Sequence, residues 1–229
     1  MNRTFNTLFL LISVDGKIST GNTPERDVDK DYKNIIGIKE GLHQYYDIEK
    51  TTDNFSLNSG FVMSKIGVNT DKNPIHCPNV NFVIIDNTNL NKMGVSNLCD
   101  NSKTLYLVTT NSNHPAFNIK RDNLVIINYK EEVDFENLFV KLKNEYNAER
   151  VTIQSGGTLN SIFVRKDLID RLSLVIAPCL VGGKDTPSLI DGASLFSEDD
   201  LKYIKTLTLE EVNKLEHNYL HLVYSVNNS

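Results

Sequence analysis

Tryptophan is absent from this 229-residue chain, cysteine occurs three times and proline six. Cys77, Cys99 and Cys179 are odd in number and far apart, with no C-x-x-C and no Cys/His ligand spacing. That argues against a disulfide scaffold and a zinc site, and it points to a reducing cytoplasm. Positive charge is also short. Lys and Arg total 24 against 29 Asp and Glu, a net charge of −5, so nothing here offers a basic field to nucleic acid or an anionic membrane. The longest early apolar stretch, 7–14, has only strand length, is cut by Asp15 and lacks a signal-peptide cleavage pattern. The expected partner is a small molecule. With 40% hydrophobic and 23% charged residues, 229 residues are expected to form a single domain, 1–229, with a full core.

Stock catalytic motifs are missing too. The chain contains no G-x-G-x-x-G, no phosphate loop ending in G-K-[ST], no G-x-S-x-G elbow and no H-E-x-x-H. His217 and His221 have the i, i+4 spacing of a metal pair but fall in a strand-like segment, and no metal site is expected there. His43, His76 and His114 are isolated, and Glu131-Glu132, Asp199-Asp200 and Glu210-Glu211 read as solvated faces.

The segment 151–192 carries the most information. Val151 and Ile153 alternate in a short strand that stops at Ser155-Gly156-Gly157, and Leu159, Ile162 and Phe163 then have helical spacing over 158–167. A strand that ends in glycines and enters a helix gathers free amides and a positive dipole end at one point, which suits a phosphate. Such glycine pairs also serve as plain turn punctuation. An uninterrupted apolar strand, 172–177, follows, then Pro178 and the Gly182-Gly183 loop.

Elsewhere apolar strands end in small polar residues. The first, 5–14, leads through Asp15-Gly16-Lys17-Ile18-Ser19-Thr20-Gly21 towards a predicted helix over 31–50. A short strand is expected at 54–58, an irregular loop at 67–78, and strands at 80–86, 104–109 and 124–128, with a helix over 134–146. The segments 202–212 and 217–226 alternate around Asn213-Lys214 and predict a terminal antiparallel hairpin. This pattern predicts an α/β fold whose mainly parallel central sheet is flanked by helices and places its ligand at the strands' carboxyl ends. An extended dinucleotide needs several strand ends in a row. Ser155, Gly156, Gly157 and Thr158 would hold its pyrophosphate, Asp86, Asn87 and Thr88 could meet a ribose, Thr109 lies at another strand end, and 15–20 could face a reactive ring.

The combination of S-x-D-G-K-I-S-T near the start with SGGTLNS…LIDRLSLVIAPCLVGGKDTPSLIDG resembles the reductase of riboflavin biosynthesis. Gly156, Gly157, Thr158, Leu159, Leu168, Ile169, Asp170, Ala177, Pro178, Gly182 and Gly183 occupy that family's consensus positions. The resemblance implies a dihydrofolate-reductase-like fold, a homodimer, and NADPH-dependent hydride transfer that opens the ribose of a ribosylamino-pyrimidine phosphate. No deaminase domain accompanies it, because the H-x-E and P-C-x-x-C zinc signature is missing. In that family's terms Asp15 orients its loop, Ser19 and Thr20 lie near the nicotinamide, and Asp71 belongs to the substrate side. Asn58, Gly60, Asp86, Asn87, Thr88, Thr109 and 155–159 lie along the cofactor. Two departures stand out. Glu49 falls where the family has a phosphate-holding arginine, and Gly60-Phe61-Val62 replaces G-T-V, removing a cofactor-contacting threonine. A nucleotide-binding regulatory protein that has lost the chemistry is therefore an alternative. A folate-type reductase is a further one, weakened because its active site uses a tryptophan that this chain lacks.

Overall fold

Uninterrupted apolar strands require cover on both faces, and the structure supplies it. In this computed structural model, which describes residues 2–70 and 77–228, the chain divides into two compact units. One unit consists of Asp53–Ser155 with residues 2–4, the other of Phe5–Thr52 with residues 156–228.

The first unit carries β2 (Phe55–Ser59), α3 (Gly60–Ile66), β3 (Cys77–Ile85), α4 (Lys92–Asp100), β4 (Ser102–Thr109), β5 (Leu124–Asn128), α5 (Phe135–Tyr146) and β6 (Arg150–Ile153). Its strands are all parallel, in the order β5-β4-β3-β2-β6. Phe82, Val83 and Ile84 of β3 and Leu105 to Val108 of β4 are buried in succession, as helix-covered parallel strands require. α5 turns Phe135, Leu138, Phe139 and Leu142 inward. Its start is fixed by the Asp134 carboxylate, which accepts from the Asn137 amide at 3.0 Å.

The second unit holds β1 (Phe5–Ser13), α1 (Val28–Asp31), α2 (His43–Glu49), α6 (Gly157–Arg165), β7 (Arg171–Ala177), β8 (Thr206–Lys214) and β9 (Leu220–Asn227). β1 pairs parallel with β7, and β7-β9-β8 continue antiparallel. Phe9 and Leu11 pack with Tyr32, Tyr45 and Tyr219, and the Phe9 and Tyr45 rings stack with centroids 5.1 Å apart. Asp170 fixes the entry to β7. Its carboxylate accepts from the Asn6 amide at 2.8 Å, and the Asn6 side chain donates to the Leu168 carbonyl.

The α/β pattern, the mainly parallel strands and the C-terminal hairpin agree with the sequence, while several boundaries need correction. The expected helix over 31–50 is broken into α1, a 3-10 turn at Tyr32–Asn34, a run of turns and α2. Gly37, at φ +92°, takes a left-handed conformation that no continuous helix allows. The short helices α3 and α4 occupy stretches not expected to be helical. The hairpin reverses at 215–219 rather than at Asn213-Lys214, because His217 and Asn218 adopt positive φ. His217 therefore lies in the turn and not in a strand. His221, on β9, hydrogen-bonds to Ser173 instead, and burial lowers its pKa.

Candidate active site

β6 runs through Ser155 and Gly156 into α6. Gly156 is the N-cap residue, at φ −73° and ψ 158°, and no side chain caps this helix end. Among the described residues nothing accepts from the amides of Gly157, Thr158 and Leu159. Three unsatisfied donors at the positive end of a helix are a donor set that suits an anion. The two glycines differ sharply. A Cβ on Gly156 would meet nothing within 4 Å, so the space in front of the amides is open. A Cβ on Gly157 would lie 2.2 Å from the Ser188 carbonyl and 2.4 Å from the Asp191 carboxylate. Gly157 is thus needed for the close approach of the loop 188–191, whose Asp191 amide donates to the Gly157 carbonyl at 3.0 Å. Thr158 is exposed and Leu159 half-buried. Asn160 is buried and donates to the Leu189 carbonyl at 2.9 Å.

The loop after β1 is laced to the loop after β7. Asp15 accepts from the Ser13 hydroxyl at 2.5 Å, the Val181 amide at 3.0 Å and the Gly182 amide at 2.6 Å. The Ser13 hydroxyl and those two amides hold its pKa at about 2, so near neutrality Asp15 is an ionised clamp with no proton to give. The Lys17 ammonium donates to the Thr186 carbonyl at 2.9 Å and the Ser188 hydroxyl at 3.0 Å. Ser19, 2% exposed, donates to the carbonyls of Gly21 and Arg26, and the Thr20 hydroxyl donates to Asp31. These four side chains hold the loop's shape.

In the first unit the parallel strands end together. Asp86, just beyond β3, is buried and accepts from the Leu90 amide, the Asn89 amide and side chain, and His114 Nε2 at 2.9 Å. The Ala116 amide donates to His114 Nδ1, which puts the ring proton on Nε2 facing the carboxylate. Burial pushes this carboxyl up, but the donors, His114 foremost, outweigh it and bring it down to about 2. Gly60 presses on the same group, with a Cβ position 2.3 Å from the Asp86 carboxylate. Asn87 Oδ1 accepts from Thr109 Oγ1 and the Thr110 amide, joining the ends of β3 and β4. Thr88 is exposed, Thr109 is fully buried, and Asn58 accepts from the Ser59 amide through its side chain. Asp71 lies outside the described residues.

Asn58, Gly60, Asp86, Asn87, Thr88 and Thr109 therefore share one sheet edge, and Asp15, Ser19 and Thr20 share one loop. Sequence reasoning missed His114 and Lys17. His114 lies 28 residues from Asp86, and nothing local marks it as that residue's partner.

Residues 4–220 match the model of the RibD C-terminal domain family. The chain belongs to this family. A 2,5-diamino-6-ribosylamino-4(3H)-pyrimidinone 5′-phosphate reductase of Archaeoglobus fulgidus is 24% identical to this chain over 139 residues, 60% of this chain and 59% of the relative. Acinetobacter baumannii RibD superposes with a TM-score of 0.68 at 16% identity, over 100% of this chain and 59% of that one. The riboflavin biosynthesis reductase Rib7 of Saccharomyces cerevisiae gives 0.60 at 17% identity, over 99% and 91%. These likenesses show a dihydrofolate-reductase-like fold. The chain thus spans about three fifths of the length of the first two relatives.

Proposed function

We propose that this chain is a reductase that passes a hydride from NADPH to a ribosylamino-pyrimidine phosphate, opening the ribose to a ribityl chain. Both units, which the family match spans, act as one reductase domain. The observation that carries the reading is the uncapped start of α6, with open space before Gly156 and three unpartnered amides. A pyrophosphate fits that donor set, because each amide offers a hydrogen bond and the helix dipole offers charge. When bound, the nicotinamide supplies the hydride. Asp15 keeps the loop after β1 fixed against Val181 and Gly182, and Ser19 and Thr20 hold that loop's curvature beside the reacting rings. Asn87 and Thr88, exposed beyond the end of β3, line the adenosine side. Asp86 supports that edge from below through His114.

Two further assignments go with this reading. β8 is exposed along its whole length, including Leu207, Leu209 and Val212, which supports a homodimer formed through the hairpin. Cys77, Cys99 and Cys179 are free thiols, and no helix of the described residues is long and apolar enough to cross a membrane. Both facts suit a reducing cytoplasm.

The test mixes the purified chain with NADPH and the pyrimidinone phosphate while following the near-ultraviolet absorbance of the reduced nicotinamide. Decay of the signal is expected, and no decay refutes the assigned reaction. A thermal-shift titration reads binding alone, since a ligand at 100 times its dissociation constant adds about 2.7 kcal/mol. A shift without turnover favours the binding protein that Glu49 suggests, because that residue stands half-buried at the end of α2 in place of a phosphate-holding arginine.

A further inference from the structure

The turn that follows β3 is gripped by the chain that follows β4, and every grip lies within the first unit. Asn87 Oδ1 accepts from Thr109 Oγ1 at 2.9 Å and from the Thr110 amide at 2.8 Å, and Asn111 Nδ2 donates to the Asn87 carbonyl at 2.7 Å. Further on, the His114 ring closes on Asp86. Between these ties the chain folds back on itself: the Asn113 amide donates to Asn111 Oδ1, and the His114 amide donates to the Asn111 carbonyl. Residues 109–114 therefore bracket residues 86 and 87, and Asn87, Thr88 and Asn89 are left exposed.

The two nitrogens of His114 do different work. Nδ1 accepts from the Ala116 amide at 3.2 Å and caps the 3-10 turn Pro115–Asn118. That turn is anchored, because Ala116 belongs to the same core cluster as Ile84 and Leu107. Nε2 reaches back 28 residues to Asp86 at 2.9 Å. The same carboxylate accepts from the Asn89 and Leu90 amides, so whatever fixes Asp86 also fixes the course of the turn 86–90. Neither side chain of the pair has any exposed surface, so the pair cannot touch a ligand and can act only by holding what does.

We propose that His114 is a positioning residue for the dinucleotide, holding through Nε2 and Asp86 the turn that the adenosine half of NADPH meets. The assignment rests on the reading above of Asn87 and Thr88. A turn that is not held in advance must be ordered when the ligand binds, and that ordering is subtracted from affinity.

Amide side chains separate the two nitrogens. In His114→Asn the short amide replaces Nδ1 at Ala116 but does not reach Asp86, whereas in His114→Gln the longer amide replaces Nε2 as the donor to Asp86. The full chain and both variants are titrated calorimetrically with NADPH and with 2′,5′-ADP, at a temperature where circular dichroism shows each to be folded. Turnover is followed at saturating NADPH. His114→Asn is expected to bind both ligands about tenfold more weakly, the cost of ordering one or two side chains, with kcat unchanged. His114→Gln is expected to stay within about twofold of wild type. Equal binding by His114→Asn and wild type overturns the proposal, as does an equal loss in both variants, which would make the ring a plain core group. A fall in kcat with KM unchanged overturns it as well, because the effect would then lie at the hydride. If His114→Asn does not fold, Asn111→Ala cuts the more exposed tie and decides: weaker 2′,5′-ADP upholds the bracket, and equal binding overturns it. If the unsubstituted chain binds neither ligand, the reductase reading falls and takes this assignment with it.

Discussion

Substituting Gly156→Asp should strengthen the fold and weaken the ligand at once. The backbone there, at φ −73°, suits any residue, and the new Cβ meets nothing within 4 Å. Aspartate is among the best N-cap residues and exceeds glycine by a few tenths of a kcal/mol. Its charge at the amino end of α6 adds about 0.3–1 kcal/mol through the helix dipole. For a chain of this size the sum corresponds to an unfolding midpoint higher by roughly 1–4 °C. A pyrophosphate bound at the same amides would feel the opposite effect. At about 6 Å and an effective dielectric of about 20 to 40, repulsion between unit charges is about 1.4–2.8 kcal/mol, a roughly ten- to hundredfold loss in NADPH affinity. Gly156→Asn is the neutral control, because it caps the helix similarly without the charge. Thermal unfolding without ligand and fluorescence titration with NADPH measure both effects. Added salt should narrow the gap between the two variants. The phosphate assignment is refuted if Gly156→Asp binds NADPH as tightly as wild type, or if both variants lose affinity equally.

Gly157→Ala should act on the fold instead. Its methyl group meets the Ser188 carbonyl at 2.2 Å, so displacing the loop costs about 1–3 kcal/mol and lowers the midpoint by roughly 2–10 °C; an unchanged midpoint would contradict the close approach. Asp86 has a folded pKa of about 2 against an ordinary 3.8, so it stabilises by about 2 kcal/mol above pH 4, and this is lost as pH falls towards 2. Asp86→Asn should be less stable near neutrality and lose less on acidification, which an acid titration of the unfolding free energy would show. Leu209→Lys on β8 should turn a dimer into monomer in light scattering, and a persistent dimer would place the contact elsewhere.

Strands were legible in the sequence because parallel strands buried on both faces must be continuously apolar, as at Phe82 to Ile84 and Leu105 to Val108. Helix α3 was not. It has seven residues, opens on glycine, and buries only Gly60 and Met63, so it carries no periodic stripe. The segment 31–50 misleads in the opposite direction. Tyr32, Ile38, Leu42 and Tyr45 all enter the core and imitate a helical stripe, but they do so from separate turns around Gly37.

Chemical type locates the ligand edge but does not assign the work of each residue. Asp86 is polar and follows a strand, as a ribose contact would, yet its oxygens are taken by Asn89, Leu90 and a histidine 28 residues further on. Gly156 and Gly157 are the same residue side by side, and the loop 188–191 separates them by pressing on one and leaving the other open. Gly157 is therefore held by packing, and substitutions there report on the fold whether or not a ligand binds. Gly156 faces free space beside three donors, so it is the position where added charge reports on the ligand. A loss of binding at Gly157 alone would support no conclusion about phosphate, whereas a more stable Gly156→Asp that binds NADPH more weakly than Gly156→Asn points to a helix end and an anion sharing the same amides.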